Sequence, residues 1–219
     1  MIYFASDTHG GDSMTGLTDF APDKENDLLI YLGDLGIFWD DSPQSKEFDE
    51  FILSREYPMA FIDGNHENCD RILSYPVEEW NGGRVHRISK NLVHLMRGEI
   101  YTIEGSTFFC MGGCRSSDRW KAKKAWWVQE EPTKEEYDFA YENLEKHNFQ
   151  VDYILTHKYF TPQQQDFSGN KYSVEALHGF IDNHVKFRHW YSGHWHRTYP
   201  VDETHDVIFM PPVALPPKK

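Results

Sequence analysis

Short apolar runs recur along the chain, separated by polar stretches with a different hydrophobic period. Ile2–Ser6, Asp27–Leu32 and Met59–Ile62 end at Asp7, Gly33-Asp34 and Asp63-Gly64. Apolar runs of that length, closed by turn residues, predict strands buried on both faces of a sheet. Between the second and third, Phe48, Phe51 and Ile52 repeat at helical spacing within Ser45–Arg55. A strand–helix–strand rhythm predicts parallel pairing. Leu92–Arg97, Ile100–Glu104 and Thr107–Met111 are separated only by Gly98-Glu99 and Gly105-Ser106, which predicts consecutive antiparallel hairpins. Lys134–Lys146 predicts a helix, with Thr133 and Glu136 as a capping pair and Tyr137, Ala140, Tyr141 and Leu144 as its apolar stripe. Val151–Leu155 and His189–Ser192 predict two more strands, Val174–Val185 a helix between them, and Val207–Met210 a last strand before a Pro-rich coil.

With 219 residues and no internal repeat or low-complexity linker, the chain predicts one domain spanning 1–219. The alternation predicts an α/β sandwich, with mixed β-sheet inside and helices outside. No apolar stretch is long enough to cross a bilayer, and no basic segment precedes the first strand, so a cytoplasmic location is expected. Cys69, Cys110 and Cys114 are odd in number and lack redox or zinc spacing, so reduced thiols used in packing are expected. The net charge of −13 disfavours a sequence-independent grip on nucleic acid. Bound cations would reverse that sign locally, so global charge says little about a metal-bearing pocket.

Candidate chemistry is concentrated where the predicted strands end. Five polar stretches each follow a predicted strand: Asp7-Thr8-His9, Gly33-Asp34, Gly64-Asn65-His66-Glu67, Thr156-His157 and Gly193-His194-Trp195-His196. In open α/β folds the carboxyl ends of strands form the crevice where ligands bind. Asp7 and His9, like His194 and His196, are two apart, so extended backbone would project each pair to one side. Glycines at 33, 64 and 193 allow close backbone approach beside the ligands. Taken singly, Asp7 or Asp34 reads as turn chemistry and His157 as a hydrogen-bonded core histidine. Together they supply carboxylate, amide and imidazole donors without thiolate, the set a two-metal hydrolytic site needs.

At these residues the chain resembles the calcineurin-like metallophosphoesterase superfamily, and within it the short bacterial and phage members. The family pattern runs Asp-x-His, Gly-Asp, Gly-Asn-His followed by Glu or Asp, a lone His and Gly-His-x-His, all present in order from residue 7 to 196. The resemblance implies the family's sandwich, with a dimetal site at strand ends. It implies one divalent ion held by Asp7, His9, Asp34 and His196, and another by Asp34, Asn65, His157 and His194. His66 would face the substrate and serve the leaving oxygen. Manganese or iron is the expected metal, with zinc an alternative.

Arg115 and Arg119, in the stretch after Gly112-Gly113, are the expected phosphate contacts, Asn65 is counted with them, and Arg71 is a weaker candidate. The Trp126-Trp127 pair reads either as a stacking surface or pocket cover, or as plain packing. Ser/Thr protein phosphatases of this superfamily carry an acid and an arginine where this chain has Ile37 and Phe38. That weakens a protein phosphatase reading and leaves Asp40, Asp41 or Asp63 to orient His66. The expected activity is hydrolysis of a small phosphorylated substrate, a nucleotide among the candidates, by water activated between two metals. A nuclease-like phosphodiesterase and a catalytically silent metal-binding scaffold are the competing readings. The oligomeric state is left open.

Overall fold

Two β-sheets stack face to face, and helices cover their outer faces. The computed structural model describes residues 1–116, 126–166, 168 and 170–216. The first sheet contains β1 (Ile2–Ala5), β2 (Leu28–Leu32), β3 (Met59–Ile62), β4 (Val77–Trp80), β5 (Gly83–Arg87) and β6 (Leu92–Leu95). The second contains β7 (Ile100–Ile103), β8 (Ser106–Met111), β9 (Tyr153–Thr156), β10 (His189–Ser192), β11 (Tyr199–Pro200) and β12 (His205–Val207). A two-residue strand, β13 (Val213–Ala214), returns to the first sheet. The strand orders are β13-β1-β2-β3-β6-β5-β4 and β11-β12-β10-β9-β8-β7.

The central strands β1, β2, β3 and β6 run parallel, as do β8, β9, β10 and β12. Their C-terminal ends are where the five polar stretches begin. Burial explains their composition. Phe4, Ile30, Leu32, Ile62, Val93 and Leu95 meet Tyr101, Phe108, Tyr153, Leu155 and Tyr191 between the sheets. The opposite face of the first sheet packs Leu29, Tyr31 and Phe61 against Phe48 and Ile52 of α1 (Pro43–Leu53). Phe109, Ile154 and Trp190 on the second sheet meet Tyr137, Ala140 and Leu144 of α3 (Lys134–Lys146) and Leu177 and Ile181 of α4 (Val174–His184). Both faces of each sheet are covered, so the central strands read as unbroken apolar runs.

Local signals set the helix ends. In α3 the Glu136 amide donates to Thr133 Oγ1 at 3.2 Å, and the Thr133 amide donates to Glu136 Oε2 at 2.7 Å. Helix α1 starts at Pro43, two residues before the predicted start, because Ser42 caps it and Pro43 takes the first turn. A short helix, α2 (Cys69–Ile72), follows the Gly64–Glu67 turn.

Three expectations need correction. Leu92–Arg97 and Ile100–Glu104 do not form a hairpin: β6 pairs with β3 and β5, and the chain crosses to the other sheet before β7. The β7–β8 hairpin is present. The strand expected at Val207–Met210 lies earlier, at His205–Val207, and β13 falls inside the expected coil. The β4–β5 hairpin gives no apolar run because Val77, Glu78 and Glu79 are exposed on the outermost strand. Its signal is Asn81-Gly82, at φ 51° and 87°, the left-handed pair that tight hairpins require. Among the described residues no helix is long and apolar enough to cross a membrane. Cys69, Cys110 and Cys114 are buried free thiols.

Candidate metal centre

The polar stretches converge because their loops are tied to one another by backbone hydrogen bonds. After β1 and β2, Asp7 N donates to Gly33 O at 3.1 Å, His9 N to Asp34 O at 3.0 Å and Gly10 N to Leu35 O at 3.1 Å. Gly193 N donates to His157 O at 2.7 Å, joining the loops after β9 and β10. The second sheet then reaches the first through His194 N, which donates to Asp7 Oδ2 at 2.8 Å. His66 N likewise donates to Asp34 Oδ1 at 2.7 Å. A Cβ on Gly33 would collide with the His157 ring, and one on Gly64 with the Asp34 carboxylate, so the expected close approach is met.

Five of the seven candidate ligands sit at positive φ: Asp7 (59°), His9 (47°), Asp34 (54°), His194 (73°) and His196 (49°). Left-handed backbone costs a non-glycine residue on the order of 1–3 kcal/mol and persists where surrounding bonds over-determine it. The extended geometry expected of the two Asp/His-x-His pairs is therefore absent. Each pair converges through left-handed turns instead.

Two donor clusters result. Asp7, His9 and His196 form one, and Asp34, His157 and His194 the other, each with ligand atoms within 4.8 Å of one another. His9 Nε2 is 3.6 Å from Asp34 Oδ2, so Asp34 faces both. Asn65 Oδ1 lies 3.2 Å from His157 Nε2 and completes the second set. His66 groups with His9 and Asp34 on the accessible side.

The polar chemistry fits cations. Among the described residues Asp7 Oδ1, which is buried, has no hydrogen-bond partner; it lies 3.8 Å from His9 Nε2 and 3.5 Å from His196 Nε2. His9 and His196 bring their Nε2 atoms within 3.0 Å. His157 Nδ1 lies 2.8 Å from Leu32 O, so Nδ1–H donates to that carbonyl and Nε2 is directed at Asp34 Oδ2, 3.3 Å away. A buried carboxylate oxygen facing two imidazole nitrogens is the arrangement a divalent ion resolves.

Charge within the cluster follows from its geometry. Burial works against an imidazolium at His157, yet Asp34 and then Asp7 outweigh it and push the ring up to about 9. Burial, reinforced by His157 and Lys158, brings His194 down to about 3 and keeps it neutral. A ligating imidazole must be neutral, so a metal held by His157 at pH 7 would have to displace its proton. Titrating metal into weakly buffered protein is expected to release about one proton from this ring, with affinity falling up to ~10-fold per pH unit below 9. Uptake without acidification would rule out this state.

Glu67 is a site residue that sequence reading passed over. Its fully buried carboxylate accepts Leu35 N at 2.9 Å and Gly36 N at 3.1 Å, tying the Gly64–Glu67 turn to the loop bearing Asp34. Burial and then the Asp34 charge raise its pKa well above the usual carboxylate range. Its place beside His66 in the motif was the available signal.

A cleft of ≈720 Å³ opens over the Asp7–His9–His196 side, lined also by His66, Trp39, Asp40, Gln44 and Phe209. Asp34, Asn65 and His157 are buried. Trp39 lies 6.1 Å from the His66 ring and is backed edge-on by Trp127 at 5.1 Å, so Trp127 packs behind the cleft wall. Among the described residues, neither Asp40, Asp41 nor Asp63 hydrogen-bonds the His66 ring. Asp41 pairs with Arg71 at 3.0 Å, and Asp63 is engaged by His94 and Arg97. Arg115 does not line this cleft: it is exposed and pairs with Glu131 at 3.3 Å. Arg119 lies outside the described residues. Ile37 is in the core, and Phe38 stacks on Tyr75 at 5.6 Å.

Paired donor clusters at strand ends, with the Asp34 carboxylate of one facing His9 of the other, mark a metallohydrolase. The family model for calcineurin-like phosphoesterases matches residues 1–198, and the chain belongs to that family. It is a metal-dependent phosphoester hydrolase, and the family implies a dinuclear divalent site. Among solved structures, a phosphopantetheinyl hydrolase from Mycobacterium tuberculosis is similar at 14% identity and TM-score 0.42, covering 95% of this chain and 89% of its own. No curated protein matches.

Proposed function

We propose that the chain hydrolyses small phosphorylated substrates, nucleotides foremost, in the ≈720 Å³ cleft. The carrying observation is the pair of donor clusters, Asp7–His9–His196 and Asp34–His157–His194, brought together where Asp34 Oδ2 lies 3.6 Å from His9 Nε2, with His66 on the accessible side. Asp7, His9, Asp34 and His196 would hold one divalent ion, and Asp34, Asn65, His157 and His194 the other. When bound, the ions lower the pKa of a water and neutralise charge on the phosphoryl oxygens. Oxygen and imidazole donors without thiolate suit manganese or iron, with zinc the alternative.

The chain's own residues do the rest. His66 contributes a ring proton to the leaving oxygen as general acid. Trp39 and Phe209 give the cleft aromatic walls, which favours a ring-bearing substrate. The burial of Ile37 and the stacking of Phe38 leave that segment no part in gripping a phosphoprotein, which counts against the protein phosphatase reading.

Metal-stripped protein supplied with manganese, iron or zinc should hydrolyse p-nitrophenyl phosphate or its bis ester, and nucleotides faster than sugar phosphates. Equal rates on nucleotides and sugar phosphates would remove the nucleotide preference. No turnover with any metal, despite two bound ions, would overturn the hydrolase proposal for this cleft.

A further inference from the structure

Asp63 immediately precedes the Gly64–Glu67 turn, and its carboxylate is turned away from His66 into a buried clamp. His94 Nε2 lies 3.2 Å from Asp63 Oδ1, and Arg97 Nε donates to Oδ2 at 3.0 Å. Arg97 Nη2 also donates to that oxygen and, at 2.6 Å, to Gln129 O. Nη1 donates to Glu136 Oε2 at 3.1 Å, the oxygen that caps α3. Asp63 O accepts Gly113 N at 2.9 Å, and a Cβ on Gly112 would collide with the Asp63 carboxylate. Burial opposes the Asp63 charge, but Arg97 and then His94 outweigh it and hold the carboxyl well below its usual range.

The same guanidinium reaches the other side of His66. Gln129 belongs to the turn Val128–Glu130, which follows Trp127. Trp127 packs on Trp39, and Trp39 lies against His66. Arg97 therefore holds the backbone entering Asn65–His66 and the segment supporting the aromatic wall beside His66. Its five N–H groups form a planar fork that a lysine cannot reproduce.

We infer that Arg97 is a positioning residue for the metal centre: through Asp63 and Gln129 it sets where Asn65 and His66 stand. This rests on the roles proposed above for those two residues. A purely structural buttress would also be buried and paired, so the test needs a readout that instability does not give. The fold supplies one. Arg97, Asp63, His94, Glu136 and Phe139 line a cavity of ≈440 Å³ distinct from the cleft, through which a small cation can reach the emptied position.

In Mn²⁺-loaded enzyme, Arg97→Ala is expected to lower kcat roughly 10- to 100-fold, with a smaller change in KM. Methylguanidinium should restore kcat saturably, and urea should not. Asp63→Asn should lose kcat comparably and resist rescue, because the fork's acceptor is altered. Folded Arg97→Ala with wild-type kcat, or a loss that methylguanidinium cannot reverse, would overturn the inference. If the alanine variant does not fold, Arg97→Lys takes its place: an intermediate kcat supports positioning, and a wild-type kcat refutes it.

Should wild-type protein hydrolyse no ester, the proposed activity fails while Mn²⁺ calorimetry still tests Arg97. One binding step should weaken roughly tenfold in Arg97→Ala and recover with methylguanidinium. An unchanged titration would overturn the positioning role.

Discussion

Asp34→Asn is expected to reduce hydrolysis by roughly three orders of magnitude or more, about 4 kcal/mol of barrier. Asp34 faces His157 Nε2 at 3.3 Å and His9 Nε2 at 3.6 Å, so both donor clusters depend on it. Asparagine keeps the shape and can still accept His66 N through Oδ1, so the turn should survive. What it lacks is charge. An amide nitrogen would point at the imidazoles and repel a cation between them. Elemental analysis should show fewer metals per chain than wild type, with an unchanged circular dichroism spectrum. Two retained metals with turnover within tenfold of wild type would remove Asp34 from its bridging role.

His66→Ala should separate metal binding from chemistry. The His66 ring lies 5.0 Å from that of His9, on the accessible side of the clusters, while the two sets assigned to metal are complete without it. Its loss should lower kcat by roughly 10²–10⁴, the usual contribution of a positioned acid, with metal content preserved. The deficit should shrink on substrates with a good leaving group such as p-nitrophenolate, which needs little protonation. An equal deficit on good and poor leaving groups would assign His66 to ground-state binding, and full activity would exclude it from the reaction.

The site was more legible than the fold around it. Five polar stretches after five apolar runs named every residue of the two donor clusters, because strand ends leave a short polar mark whatever surrounds them. The chemistry of Arg115 suits a phosphate, while its side chain pairs with Glu131 at 3.3 Å, a direction that residue type does not encode. Glu67 escaped notice because its work is hydrogen bonding to the Asp34 loop, a partnership between residues 32 positions apart.

Local sequence was enough for the buried strands, for the helices α3 and α4, the first with its cap, and for the candidate ligands. Those depend on apolar period, on capping side chains and on which atoms can hold a cation, all of which are local. Tertiary structure decided the rest. It sent β6 and β7 into different sheets, since pairing partners are chosen by the faces that must be buried rather than by the glycines between them. It paired Val213–Ala214 with β1, where strand pairing overrode a Pro-rich composition. It placed five candidate ligands in left-handed backbone, a conformation stabilised by hydrogen bonds between loops far apart in sequence. And it turned Asp63 away from His66 toward Arg97, since a buried carboxylate is held by whichever cation the fold brings within reach.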